Sequence, residues 1–255
     1  MKIKNLFFLT ILCIINFSSF AKDNENKKVI TFATEATYPP FETVAPSGEL
    51  QGFDIDIANS ICEKLKAKCV FLNQPFDSLI VNLQIGKFDA IIAAMSITPD
   101  RQKVVNFTNP YYINSLSFIA RKDINFDITP GKFKNKTVGV QQGTTFANYL
   151  NKVYGKNINV KTYVSTEMAF LDLANGRIDT VMGDTPLLKV WMQDHGNDQY
   201  HFIGNPITDS KLLGVGNGIA VNKNNKQLLN SFNKAIEQIR KDGTMKKIEN
   251  KYFAR

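Results

Sequence analysis

Apolar residues in this chain come in short runs, and the period of the runs keeps switching between strand-like and helix-like. Val29 to Thr34 is apolar and β-branched and reads as a strand entering the Pro39-Pro40 loop. Asp54 to Lys66 then carries Ile55, Ile57, Ala58, Ile61, Cys62 and Leu65 at helical spacing. Val70 to Leu72 predicts a short strand, Phe76 to Ile85 a helix stopped at Gly86, and Phe88 to Ala93 a buried strand. That order is β-α-β-α-β, the mark of an open sheet with helices on its faces.

The pattern then repeats. Thr137 to Val140 predicts a strand, and Gly143-Thr-Thr145 opens a helix through Leu150. Val160 to Tyr163 predicts a strand, Thr166 to Ala174 a helix, Arg177 to Met182 a strand and Pro186 to Gln193 a helix. Two such units predict two α/β lobes. Two stretches are free to join them, Tyr111 to Ile119 and Ile207 to Val221, with helices at Lys226 to Arg240 and on to Tyr252 still to come. A chain that crosses twice makes a paired hinge with a cleft between the lobes. The expected division is 22–112 with 214–255 in lobe one, and 113–213 in lobe two.

The first 21 residues stand apart. Met1-Lys-Ile-Lys4 is basic, Leu6 to Phe17 is almost wholly apolar, and Ser19-Phe20-Ala21 offers small residues for a peptidase. This is a secretory signal peptide cleaved after Ala21; a retained N-terminal anchor is the competing reading. Removing it takes two lysines and no acid, so the formal charge falls from +8 to +6. The lysines are scattered among Asn, Asp and Glu with no aromatic-interleaved basic stripe, which argues for a solvated surface and against nucleic acid. In an exported chain the nearby pair Cys62 and Cys69 is read as a disulfide. A metal pair lacks further ligands, since the two histidines, His195 and His201, lie far off in a polar stretch. No metal or other cofactor is expected.

In open α/β sheets ligands bind beyond the carboxyl ends of the strands. The loops there are Glu35 to Phe41, Pro75 to Asp77, Ala94 to Arg101, Gln141 to Thr145 and Gly183-Asp184. They hold two aromatics, acids, hydroxyls and Arg101, one of only five arginines among 31 basic residues. Such a set suits a small zwitterion: arginine grips a carboxylate through paired hydrogen bonds, a helix start favours an anion, and a carboxylate holds an ammonium.

The segments YPPFE, GFDIDIANSICEKL, FDSLI, DAIIAAMSITPDRQ, FTNPYY, GVQQGTT, GRIDTVMGD and DGTMKKIENKYF, in this order, resemble the polar amino-acid-binding proteins of bacterial ABC importers. The resemblance spans residues 29 to 253 and is closest to the arginine-binding members. It implies a periplasmic-binding-protein fold. Arg101 is then the clamp for the ligand α-carboxylate, with Ser96 beside it and Thr145 on the second lobe. Asp184 receives the α-ammonium, and Tyr38 and Phe76 sandwich the side chain. Ala93 and Ala94 depart from the hydroxyl or glycine common there, which leaves Ala94 only a backbone contact. Glu35 faces a cationic side-chain end, with Gln141 and Gln142 as the neutral alternative. The implied function is a monomeric periplasmic component that binds L-arginine, or lysine or ornithine, and docks on an inner-membrane permease.

Simpler readings of the same residues stand beside these. Arg101 alone would pass for a surface helix residue, Asp184 for a helix cap, Tyr38 and Phe76 for core, and Glu35 for a solvated rim. Gly214-Val-Gly-Asn-Gly218 has the glycines of a phosphate loop but not its lysine, and reads as hinge. Two rival classes remain: a dehydratase of the cyclohexadienyl or arogenate type on the same fold, using Glu35 or Asp184 as general acid, and the sensor domain of a receptor, which would need a membrane segment after Phe253.

Overall fold

In the computed structural model, residues 27–113 and 115–254 are described. The signal peptide and its cleavage site lie outside the described residues. The first lobe contains β1 (Val29–Thr34), β2 (Thr37–Tyr38), β3 (Glu42–Val44), β4 (Leu50–Gln51), α1 (Phe53–Lys64), β5 (Lys68–Asn73), α2 (Leu79–Gln84), β6 (Ala90–Ile91), α3 (Pro99–Val104) and β7 (Val105–Phe107). The second contains β8 (Leu116–Arg121), β9 (Thr137–Gln141), α4 (Phe146–Tyr154), β10 (Asn159–Tyr163), α5 (Thr166–Ala174), β11 (Thr180–Asp184), α6 (Thr185–His195), β12 (Tyr200–Ile207) and α7 (Ser210–Leu213). The chain then returns to the first lobe through β13 (Ala220–Asn222), α8 (Lys226–Lys241) and α9 (Thr244–Phe253).

Each lobe has one five-stranded sheet, in the orders β5-β1-β6-β13-β7 and β10-β9-β11-β8-β12. The parallel parts are those the periodicity predicts: β1 with β5 and β6, and β9 with β10 and β11. The antiparallel parts are additions. β8 pairs with β11 and β12, and β13 pairs with β6 and β7, all antiparallel. Leu116 to Arg121, expected partly as a link, is therefore a nearly fully buried strand of the second sheet. Tyr200 to Ile207, expected as a polar stretch, is an edge strand that includes His201. Gly204 and Pro206 interrupt its alternation, and an edge position tolerates the missing N–H of Pro206. The strand expected at Phe88 to Ala93 shrinks to Ala90–Ile91, although Phe88, Ile92 and Ala93 stay buried.

The crossings meet at Asn217. Tyr111 N–H donates to Asn217 O, and Asn217 N–H donates to Tyr112 O, each at 2.8 Å. Behind this pairing Tyr112 stacks on Phe253 at 4.7 Å between ring centres, and both rings pack against Phe41 and Phe53. The last helix thus closes the back of the hinge. In the first core, Phe32 lies between Phe71 and Phe232, tying the sheet to α8.

Cys62 at the end of α1 and Cys69 in β5 form a disulfide, with a Cα–Cα distance of 6.0 Å. The bond joins the helix to the edge strand of the sheet. The double variant Cys62→Ser/Cys69→Ser is expected to lose about 2–3 kcal/mol in guanidinium unfolding, the loop-closure entropy of a short crosslinked loop. An unchanged midpoint and slope would contradict this.

Candidate functional site

Arg101 is placed by its own turn. Thr98 is the N-cap of α3, Pro99 takes the first helical position, and the Thr98 hydroxyl accepts the Arg101 N–H at 3.3 Å. Helical side chains lean toward the N-terminus, so the guanidinium folds back into the cleft. Its Nη1 donates to Ser96 O at 2.8 Å, and its Nη2 reaches across to Gly143 O on the second lobe at 3.0 Å. The carbon of the guanidinium stands 5.5 Å from the centre of the Phe76 ring. Burial pushes its pKa down to about 10, still far above neutrality, so the group is a desolvated cation. Among the described residues no carboxylate lies within ion-pair distance of it.

Two acids share the cleft with it. Glu35, 5 % exposed, follows β1 and accepts hydrogen bonds from the Thr37 hydroxyl and from Gln141 Nε2, the latter at 3.0 Å across the cleft. Burial raises its pKa, with those two donors pulling the other way. Asp184 ends β11 and accepts the Tyr38 hydroxyl at 2.6 Å, also across the cleft. Asp184 occupies the N-cap position of α6, yet its side chain makes no capping bond. These residues line a narrow space between the lobes.

Glu35, Tyr38, Phe76, Ala94, Ser96, Arg101, Thr145 and Asp184 all line this space. The Thr145 hydroxyl is buried there without a partner among the described residues, at the start of α4. Gln142 is not among these lining residues. Its side chain leaves the cleft wall, is exposed, and donates to Asp77 at 2.9 Å as a clasp between the lobes. Its neighbour Gln141 turns inward instead, because it is the last residue of β9 and successive strand side chains point to opposite faces. Ala94 also differs in detail. It has φ 45°, and its N–H is already given to Asp54 at 2.6 Å, so any backbone contact to a ligand must come from its carbonyl.

Two further acids went unnoticed in the sequence. Glu42 lines the pocket, and Asp54 lies behind it; both are essentially inaccessible. They belong to the YPPFE and GFDID segments, where they read as a turn residue and a helix-start acid. Only the pairing of β3 with β2, which folds Glu42 against Tyr38, brings them under the cleft.

A model of the bacterial extracellular solute-binding proteins, family 3, matches residues 30–255. The chain belongs to this family. The solute-binding protein is 40% identical over 250 residues to ABC transporter arginine-binding protein 1 of Escherichia coli, covering 98% of this chain and 99% of the relative. It is similar in structure to a Salmonella typhimurium periplasmic binding protein of high arginine specificity, with a TM-score of 0.83 and 37% identity over 89% of this chain and 99% of that one. A more distant likeness, TM-score 0.76 at 29% identity over 88% and 95% of the two chains, is to an ancestral amino-acid-binding protein, a precursor of cyclohexadienyl dehydratase. The nearer likenesses are to binding proteins, and this chain is a binding protein and not an enzyme.

The lobes touch at a glycine. Gly143 has φ +77°, and a Cβ there would sit 3.0 Å from Asp77 Cα. Gly143→Ala combines backbone strain of about 1 kcal/mol with that obstruction. The variant is expected to show a larger radius of gyration than the parent by X-ray scattering. A parent-like radius would show that the lobes need not meet here.

Proposed function

We propose that this protein captures L-arginine between its lobes and delivers it to the inner membrane. The protein is the periplasmic substrate-binding component of an ABC amino-acid importer, as its family and relatives have it. The observation that carries the ligand is the polarity of the pocket. A desolvated cation, Arg101, and two buried acids, Asp184 and Glu35, line the same pocket. An α-carboxylate completes Arg101, whose present acceptors are neutral carbonyls. The α-ammonium goes to Asp184, and the Thr145 hydroxyl and N–H groups add to the carboxylate site. The side chain lies between Tyr38 and Phe76 and points to Glu35, with the Gln141 amide oxygen nearby.

A guanidinium gains twice there: it stacks on rings and meets a forked carboxylate, whereas the compact ammonium of lysine or ornithine gains less. We take residues 22–112 and 214–255 as one lobe and 113–213 as the other. They turn about the Tyr111–Asn217 pairing in a monomer that binds one ligand and docks on the permease when closed.

Calorimetry of ligand-stripped protein against the twenty amino acids and ornithine is expected to rank arginine first. A neutral amino acid bound more tightly would overturn the reading. Arg101→Ala is expected to lose about 2–5 kcal/mol of binding with a native circular dichroism spectrum, the cost of leaving a desolvated carboxylate unpaired. Near-parent affinity would remove Arg101 from the site.

Glu35→Gln keeps shape but removes charge, and is expected to lose on the order of 1–3 kcal/mol of arginine binding and more for lysine. Because burial raises the pKa of Glu35, its charge is present above that pKa and lost as pH falls through it. Arginine affinity should therefore weaken in acid. If Glu35→Gln binds arginine as tightly as the parent at low salt, Gln141 holds the guanidinium instead.

A further inference from the structure

The side-chain amide of Gln141 has one orientation that its neighbours allow. Its Nε2 donates to Glu35 Oε2 at 3.0 Å across the lobes, and to the carbonyl of Val164 at 3.3 Å within its own lobe. An ionised carboxylate and a carbonyl only accept, so the end of the amide that faces them is the NH2 group. The other end, Oε1, accepts the hydroxyl of Thr166 at 3.3 Å. Turned over, the amide would set its oxygen against two acceptors. The start of α5 places Thr166 for this contact. Ser165 is the N-cap, its hydroxyl accepting the Met168 N–H at 3.4 Å, and Thr166 is the first helical residue. Gln141 lines the pocket and Thr166 does not, yet both are 1% exposed.

Glu35 is thereby held at both oxygens, Oε1 by the Thr37 hydroxyl of its own lobe and Oε2 by Gln141 of the other. A carboxylate offers about four lone-pair sites, so one donor on each oxygen leaves a site free on each. The result is a forked acceptor of fixed orientation. A guanidinium matches such a fork with two parallel N–H groups, whereas an ammonium is a point charge that needs no particular orientation.

We propose that Thr166 is a positioning residue that sets the preference for arginine from outside the pocket: its hydroxyl turns the Gln141 amide so that the NH2 group braces the Glu35 carboxylate for a forked partner. The inference rests on the reading of Glu35 as the partner of a cationic side chain, and deepens it by naming what orients that carboxylate. It also gives Gln141 a definite part. With its oxygen taken by Thr166, Gln141 serves the ligand through Glu35 and not as an acceptor for the guanidinium. The Thr166 contact lies within one lobe and the Glu35 contact crosses the cleft, so the amide is set beforehand and the brace is complete when the lobes meet.

Calorimetry with arginine and with lysine tests this on the ligand-stripped parent, Thr166→Val, Thr166→Ser, Gln141→Leu and the Gln141→Leu/Thr166→Val double variant. Valine keeps the shape of threonine and removes the donor. Thr166→Val is expected to bind arginine about three- to tenfold more weakly, the net worth of one hydrogen bond, and to lose less for lysine, so that the arginine-to-lysine preference falls. Thr166→Ser keeps the hydroxyl and is expected to bind both ligands within about twofold of the parent. In the Gln141→Leu background there is no amide to turn, and adding Thr166→Val is expected to change arginine affinity by less than about twofold. Parent-like arginine binding by Thr166→Val overturns the proposal. So does the same loss with and without Gln141→Leu, or an equal loss for arginine and lysine, each of which marks a disturbed α5 and not a turned amide. If Gln141→Leu does not fold, Thr166→Ser as weak as Thr166→Val overturns it equally. A parent that binds neither arginine nor lysine would instead overturn the cationic reading and the inference with it.

Discussion

A desolvated guanidinium is the constraint on which this cleft depends. Removing a cation from water is costly unless other dipoles replace the water, and Arg101 obtains them from two carbonyls and an aromatic face. One carbonyl belongs to each lobe, so the solvation of Arg101 is complete only where the lobes meet. Much of the local sequence follows from that. Thr98 and Pro99 fix the start of α3 so that the side chain turns inward, and Gly143 brings its carbonyl close because a side chain there would strike Asp77. Neutral carbonyls leave the charge itself uncompensated.

The same reasoning in reverse explains the other wall. Carboxylates crowded into a low-dielectric space repel, so the structure spreads or protonates them. Asp184 is satisfied by Tyr38, Glu35 by Thr37 and Gln141, and Asp54 by Ala94 and Tyr111. Burial pushes the Glu42 carboxyl well above the usual carboxylate range. The pocket is thus a dipole in which negative groups outnumber the single cation. A zwitterion with a cationic side chain matches that imbalance; a neutral amino acid leaves one acid without a partner.

The parallel core of both lobes was readable in the sequence because buried parallel strands are short apolar runs followed by amphipathic helices, as at Val29 to Leu65 and Thr137 to Ala174. The antiparallel strands were not. Leu116 to Arg121 begins within a connection, and Tyr200 to Ile207 carries Gly204 and Pro206, so neither shows a clean period. Most of the pocket was legible too, since loops at strand ends gather there and the resemblance named their residues. Gln141 and Gln142 differ by parity: a one-residue step along a strand end exchanges inside for outside, and Gln-Gln gives no clue to which is which. Glu42 and Asp54 escaped for another reason. They are charged residues in a turn and a helix start, where exposure is the ordinary state, and only the three-stranded β2-β3-β4 sheet buries them.

What decides whether such a cleft is open or shut is the balance between hinge and wall. The hinge holds two backbone hydrogen bonds at Asn217, backed by the Tyr112 and Phe253 rings. The contacts across the cleft are polar: Arg101 to Gly143, Tyr38 to Asp184, Gln141 to Glu35 and Gln142 to Asp77. Each exchanges a protein partner for water with a net gain of about 1 kcal/mol or less, so together they bring the lobes near balance and do not lock them. A ligand that touches both walls adds its whole binding energy to the closed side of that balance, which is the differential affinity a population shift requires. A strongly apolar cleft would close by itself and exclude the ligand. The polar wall keeps closure conditional on the charges that Arg101 and the acids are placed to read.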